Sequence, residues 1–239
     1  VCFINMTEAI TKTLESPKID ISKEILVIPD IHGRIFWKDA TKFDGEIIFL
    51  GDYVDPYPHE FKDQDINKVQ ENTLVNFEEI LEFAKSNNKV HLLIGNHDYS
   101  YFKDIPCCRH DYIRDKEFHN LFTDNKELFS VIYLIDNLLL SHAGIHKEWM
   151  NFNKISNIKE IDIDNEGSLW QPDYMRGGDF FSGSPLWADA RTFPDKDIEY
   201  YQIFGHTQLK EPYIQETWAC LDCHKMFKVS KNNIEEWKI

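Results

Sequence analysis

Positive charge is scarce in this chain. Lysine and arginine together number 26 against 41 aspartates and glutamates, a formal net charge of −15 over 239 residues. Only Arg34, Arg109, Arg114, Arg176 and Arg191 carry a guanidinium. A surface of that sign repels a phosphodiester backbone, so nucleic acid is not an expected partner. Long apolar runs are missing as well. None approaches the roughly 20 residues a membrane helix requires, and no secretory leader is visible, so no membrane association is expected and a cytoplasmic location is the default. Cysteine is sparse: five residues, two of them adjacent at Cys107 and Cys108, do not form an extracellular disulfide framework, and reduced thiols are expected. Cys220 and Cys223 stand in C-x-x-C spacing, but a structural zinc site needs two further ligands nearby, so a strand with cysteines is the simpler reading.

What is present is a core. Hydrophobic residues make up 42% and aromatics 14% of the chain, enough for one sizeable globular domain spanning residues 1–239. Short apolar runs recur with the same ending. "ILVI" leads into "PDIHG", "EIIFL" into "GDYVD", "VHLLI" into "GNHD", "LLL" into "SHAG" and "YYQIF" into "GHT". Each is a strand candidate that delivers a small residue and then a metal-capable side chain to its carboxyl end, where α/β folds place ligands. Between "EIIFL" and "VHLLI" a helix is predicted, with Ile66, Val69, Phe77, Ile80, Leu81 and Ala84 on one apolar face. Residues 99–129 and 151–185 read as loop or helical insertions over the strand ends. From Trp218 onward "WACLD", "MFKVS" and "IEEWKI" read as short strands.

The side chains gathered at the strand ends are Asp30, His32, Asp52, Asn96, His142 and His206. Carboxylate, imidazole and amide donors without thiolate suit manganese, iron, zinc or magnesium, with nickel a further choice. Six donors exceed one site. They suit two divalent ions roughly 3.5–4 Å apart, which with a bridging hydroxide would provide a nucleophile at neutral pH.

The ordered set "DIHG", "GDYVD", "GNHD", "SHAG" and "GHT" resembles the calcineurin-like metallophosphoesterase superfamily, closest to the serine/threonine phosphoprotein phosphatase branch. "PLWADAR" resembles the L-W-S-D-P segment of that branch, and "CLDCHKMF" sits where its I-D-T-G segment lies. The resemblance implies an α/β fold (α+β in some schemes): a four-layer sandwich of two central mixed sheets flanked by helices. It also implies that Asp30 and His32 hold the first metal, Asp52 bridges, and Asn96, His142 and His206 hold the second. Gln208 replaces the last histidine of a G-H-x-H ending, which leaves the first metal more solvent ligands. His97 of "GNHD" would be the general acid for the leaving alkoxide, oriented by Asp55.

The branch carries an arginine where this chain has Pro56, and a substrate phosphate needs a cationic donor there. Arg191 is the leading replacement because it follows "LWAD". Arg176, with glycine neighbours, is second, and Arg34, next to the first motif, is third. The expected activity is hydrolysis of a phosphomonoester, with manganese the first choice of metal and a phosphoprotein the favoured substrate. A nucleotide or diadenosine polyphosphate is the alternative substrate, and a phosphodiester ranks third. A catalytically inactive metal-binding interaction module is the competing reading from another class; Pro56 is its support.

Overall fold

A computed structural model describes residues 17–165, 167–194 and 198–238 of the chain. Residues 1–16 of the expected single domain, Glu166 in the second insertion and Ile239 at the end of the last predicted strand lie outside the described residues.

The run Ile25–Ile28 has no polar residue, the pattern of a strand covered on both faces, and it forms β1 with every side chain buried. Parallel neighbours follow at β2 (Glu46–Phe49), β3 (Val90–Leu93) and β4 (Phe129–Ser130). On the other side of β1 the chain returns antiparallel as β10 (Phe227–Ser230) and β11 (Asn233–Glu236), giving a six-stranded mixed sheet. The second sheet has five strands: β5 (Ile132–Ile135), β6 (Leu138–Ser141), β7 (Tyr201–Phe204), β9 (Trp218–Cys220) and β8 (Tyr213–Ile214), in that order. Here β6, β7 and β9 run parallel, and the two edge strands run antiparallel to their neighbours.

Alternation along each strand decides what each face covers. Ile25 and Val27 of β1 pack with Leu138, Leu140 and Ile203 of the second sheet, so one apolar layer lies between the sheets. Leu26 and Ile28 point the other way, into a cluster with Phe77, Ile80 and Leu81. Those three belong to α1 (Ile66–Ser86), whose start is capped by the Asp65 side chain accepting from Asn67 N at 2.9 Å. Three shorter helices, α2 (Asn96–Phe102), α3 (Asp115–Asp124) and α4 (Lys147–Phe152), lie in or beside the two predicted insertions. Two mixed sheets with helices around them match the expected architecture.

Two details depart from the sequence reading. Ile66, expected on the apolar face of α1, is 46% exposed at the first position of the helix. The buried face instead includes Asn76, which accepts from Trp37 Nε1 (3.0 Å) and donates to Arg34 O (3.2 Å), tying the helix to the loop after β1. The second departure is a crossing. Phe129 and Ser130 pair with the first sheet, and Ile132, two residues later, starts the second. No helix among the described residues is long and apolar enough to cross a membrane.

Candidate active site

Because β1, β2 and β3 are parallel neighbours, their carboxyl ends open on the same edge, and the parallel pair β6 and β7 does the same in the second sheet. Asp30 and His32 follow β1, Asp52 and Asp55 follow β2, Asn96 and His97 follow β3, His142 follows β6 and His206 follows β7. All eight are buried. Four of them take left-handed backbone angles, His32 (φ 43°), Asp52 (52°), Asp55 (56°) and His206 (62°). Non-glycine residues pay for that conformation, and such strain concentrates where side chains must be aimed. Glycine supplies the remaining room: a Cβ on Gly95 would land on Asp52 Oδ1, and one on Gly205 on Asp30 Oδ1.

Hydrogen bonds fix which atoms look inward. His32 Nδ1 lies 2.8 Å from Val54 O and His142 Nδ1 lies 2.9 Å from Leu50 O. A carbonyl only accepts, so in each neutral ring Nδ1 carries the proton and Nε2 presents a bare lone pair. Asp52 Oδ2 sits between the two, 3.4 Å from His32 Nε2 and 3.6 Å from His142 Nε2. His142 Nε2 also faces Asn96 Oδ1 at 3.0 Å and His206 Nδ1 at 3.1 Å. Lone pairs aimed at one another at such distances, in a buried place, call for a cation between them. Asp30, His32 and Asp52 bring one ligand atom each within 4.8 Å of one another, and so do Asp52, His142 and His206. The donor set therefore fits two divalent ions sharing Asp52. Asp98 braces the floor by accepting from the backbone N–H of Asp52 (2.7 Å), Tyr53 (2.9 Å) and Gly95 (2.8 Å).

Electrostatics follow the same layout. Burial alone raises Asp52, but positive charge among the imidazoles around it, His142 first and then His97 and His32, together with the His97 backbone N–H on Oδ1 (3.0 Å), outweighs it and holds the carboxyl at about 2. Burial pushes Asp30 up to about 6 and holds His32 and His206 well below the usual imidazole range. His97 goes the other way: burial lowers it, but the charge of Asp52 and the hydrogen bond to Asp55 lift it to about 10.

His97 Nδ1 and Asp55 Oδ2 are 2.6 Å apart, and the other Asp55 oxygen accepts from Tyr101 O–H at 2.6 Å. With Nδ1 committed, Nε2 faces outward. The arginine that reaches it is Arg109, with Nη2 at 3.1 Å, Nε donating to Asp55 O at 3.1 Å and the guanidinium stacked 3.8 Å above the Tyr57 ring. Arg191, the leading candidate from sequence, is instead gripped by both oxygens of Asp189 at 2.8 and 2.6 Å. Arg176 shares that carboxylate (Nε–Oδ2 2.7 Å) and donates to Thr207 Oγ1 (2.9 Å) and His206 O (3.2 Å), so it borders the cluster. Arg34 is paired with Glu60 at 2.8 and 2.6 Å. Gln208 turns toward His224, at 3.0 Å.

Three further residues went unselected in the sequence. Arg109 sits in an irregular stretch with no motif around it, and only the fold brings it over Asp55. Tyr101, an aromatic whose sequence context suits a pocket wall or a core, is the second partner of Asp55. Asp222 is buried, with Oδ1 unpartnered among the described residues, and burial together with the charge of Asp30 pushes its carboxyl well up. The D in "CLDC" was its only signal.

Residues 23–209 match the family described as calcineurin-like phosphoesterase. No curated protein matches the chain. Among solved structures, it is similar to one described as a cold-active protein tyrosine phosphatase, with a TM-score of 0.61 at 16% identity over 93% of this chain and 80% of that one. A cold-active protein-tyrosine phosphatase of a psychrophilic Shewanella species is similar as well, with a TM-score of 0.59 at 16% identity over 94% of this chain and 83% of that one.

Proposed function

The chain belongs to the calcineurin-like phosphoesterase family, hydrolases of phosphoric esters, and we propose that it is a phosphomonoesterase acting on a phosphoprotein with two divalent ions, manganese first among them. Asp30, His32 and Asp52 would hold one ion, and Asp52, Asn96, His142 and His206 the other. When bound, such ions supply Lewis acidity toward phosphoryl oxygens and a water acidic enough to attack at neutral pH.

The observation that carries the reading is the line Tyr101–Asp55–His97–Arg109. Asp55 accepts from Nδ1 of His97 and fixes the ring, so the second proton of the imidazolium sits on Nε2, aimed away from Asp55. An alkoxide leaving from phosphorus would take that proton. In the resting geometry an Arg109 N–H donates to that Nε2, so the ring takes up its second proton as the guanidinium turns to the substrate, and Asp52 and Asp55 favour the charged form. Arg109, anchored on Asp55 O and Tyr57, has an N–H beside the same Nε2 and can donate to a phosphoryl oxygen while the ring serves the leaving group. This supplies the cation that Pro56 does not, and Arg176 stands on the other rim. The "LWAD" segment and Gln208 favour a phosphoprotein. So does the shared fold with proteins described as protein tyrosine phosphatases.

The test is phosphate release from phosphoserine, phosphothreonine and phosphotyrosine peptides, nucleotides and dinucleoside polyphosphates, with manganese added. Phosphopeptides should lead, and Asp52→Asn should lose all turnover. Nucleotide hydrolysis without peptide hydrolysis would overturn the substrate class. Silence across the whole panel would leave the binding-module reading standing.

A further inference from the structure

Beside the phosphoesterase cluster lies a second group of ligand atoms with different chemistry. Cys107 Sγ and Cys108 Sγ are 4.0 Å apart, and Cys108 Sγ is 3.9 Å from His97 Nε2. One ligand atom from each of the three residues falls within 4.8 Å of the others. A tetrahedral zinc with sulfur at about 2.3 Å and nitrogen at about 2.0–2.1 Å needs neighbouring ligands roughly 3.6–3.8 Å apart. Cys108 Sγ already stands within a few tenths of an ångström of that spacing from both Cys107 Sγ and His97 Nε2, and the third pair lies within 4.8 Å. The outer half of the site is present too: Asp55 accepts from His97 Nδ1 at 2.6 Å, the carboxylate–histidine arrangement that orients a metal-bound imidazole and raises its basicity. Cys108 is exposed and Cys107 partly so, which gives an entry path.

We propose that Cys107, Cys108 and His97 form a third metal site, selective for a thiophilic divalent cation such as zinc or cadmium, whose occupancy switches the enzyme off. Softness separates it from the neighbouring cluster, which offers oxygen and nitrogen donors only. Two thiolates neutralise the cation, so the Arg109 guanidinium need only give up its contact with Nε2, keeping its hold on Asp55 O and Tyr57. Binding itself stands on the geometry of these three residues. The loss of turnover rests on the general-acid role of His97, because a metal on Nε2 occupies the position of the proton the leaving group needs.

Titration of the manganese-loaded enzyme with cadmium chloride separates the two claims. Cadmium that exchanges into the oxygen and nitrogen cluster gives no thiolate charge-transfer absorption, so that band reports the third site. One cadmium per chain should produce the band, accompanied by at least a tenfold loss of hydrolysis that a dithiol chelator reverses. The C107S/C108S protein should show neither the band nor the loss, measured against its own cadmium-free rate. His97→Ala removes one of the three ligands, so it should keep the thiolate band but bind cadmium at least about 10 to 100-fold more weakly, the loss that follows from disturbing even an outer partner of a metal ligand. No band in the parent protein, or an equal band in C107S/C108S, would overturn the site. A full band with undiminished hydrolysis would keep the site and overturn the general-acid role of His97.

Discussion

Arg109 takes a left-handed backbone conformation (φ 65°) and lies under no motif, yet its guanidinium is the one that meets His97. In the proposed role, truncating it would remove one to three charge-assisted hydrogen bonds to a phosphoryl oxygen. Arg109→Ala should therefore lower kcat/KM by about 10 to 1000-fold with metal content unchanged. Arg191→Ala, which only frees one side of Asp189, should stay within a few-fold of the parent. Equal losses in both variants would return Arg191 to the site. His97→Asn should keep the metal and lower kcat by about 10²–10⁴-fold, more for poor leaving groups than for good ones. Asp189, outside the proposed ligand set, carries one share of the pH dependence of stability. Burial raises its carboxyl, but the Arg191 hydrogen bond and the charge of Arg176 outweigh it and hold the group below its ordinary value. A depressed carboxyl stabilises the fold above its unfolded pKa of about 3.9, and that share is lost as pH falls through the folded value. Thermal melts of the parent and Asp189→Asn should thus differ at pH 7, begin to converge as pH drops below about 4 and meet only below the folded carboxyl's own value.

At the scale of elements, α1 shows why periodicity locates a helix better than it assigns its face. Val69, Phe77, Ile80, Leu81 and Ala84 are buried as their spacing predicts, while Ile66 is not. Phe77 packs among Tyr53, Phe122 and Phe129 with ring centroids 5.3, 4.6 and 6.3 Å away. Phe77→Ala should cost about 3–5 kcal/mol in a denaturant titration, and Ile66→Ser no more than about 0.5 kcal/mol. The strands that end at the site were legible because each is a short apolar run closed by glycine or another small residue. The pair around Val131 was not, since two residues of β4 carry no period, and the switch of sheets depends on partners far along the chain.

For the whole molecule, the two sheets meet their helices through apolar layers but meet each other's strand ends through buried carboxylates and imidazoles. That edge gathers charges which need counter-charges, so binding of the proposed ions would be coupled to folding. Chelation should lower the melting temperature by several degrees. At a hundredfold excess of metal over Kd the bound state gains about 2.7 kcal/mol, and a chain of this size shifts roughly 2–4 °C per kcal/mol. An unchanged melt after complete metal removal would mean that the cluster satisfies itself through protonated histidines.

The sequence by itself determined the order of strands and the side chains at their ends, because hydrophobic period and the residues that close each strand are local properties. Six of those side chains, Asp30, His32, Asp52, Asn96, His142 and His206, belong to that pattern, the resemblance to the phosphoesterases adds His97 and Asp55, and all eight lie at the strand ends of one edge. Which guanidinium faces the imidazole, which oxygen of Asp55 Tyr101 occupies and where Cys107 and Cys108 point were decided only by tertiary structure. Arg109 lies 54 residues beyond Asp55 and Tyr101 lies 46 beyond it, and no local pattern records a contact made by folding an irregular loop back over a strand end.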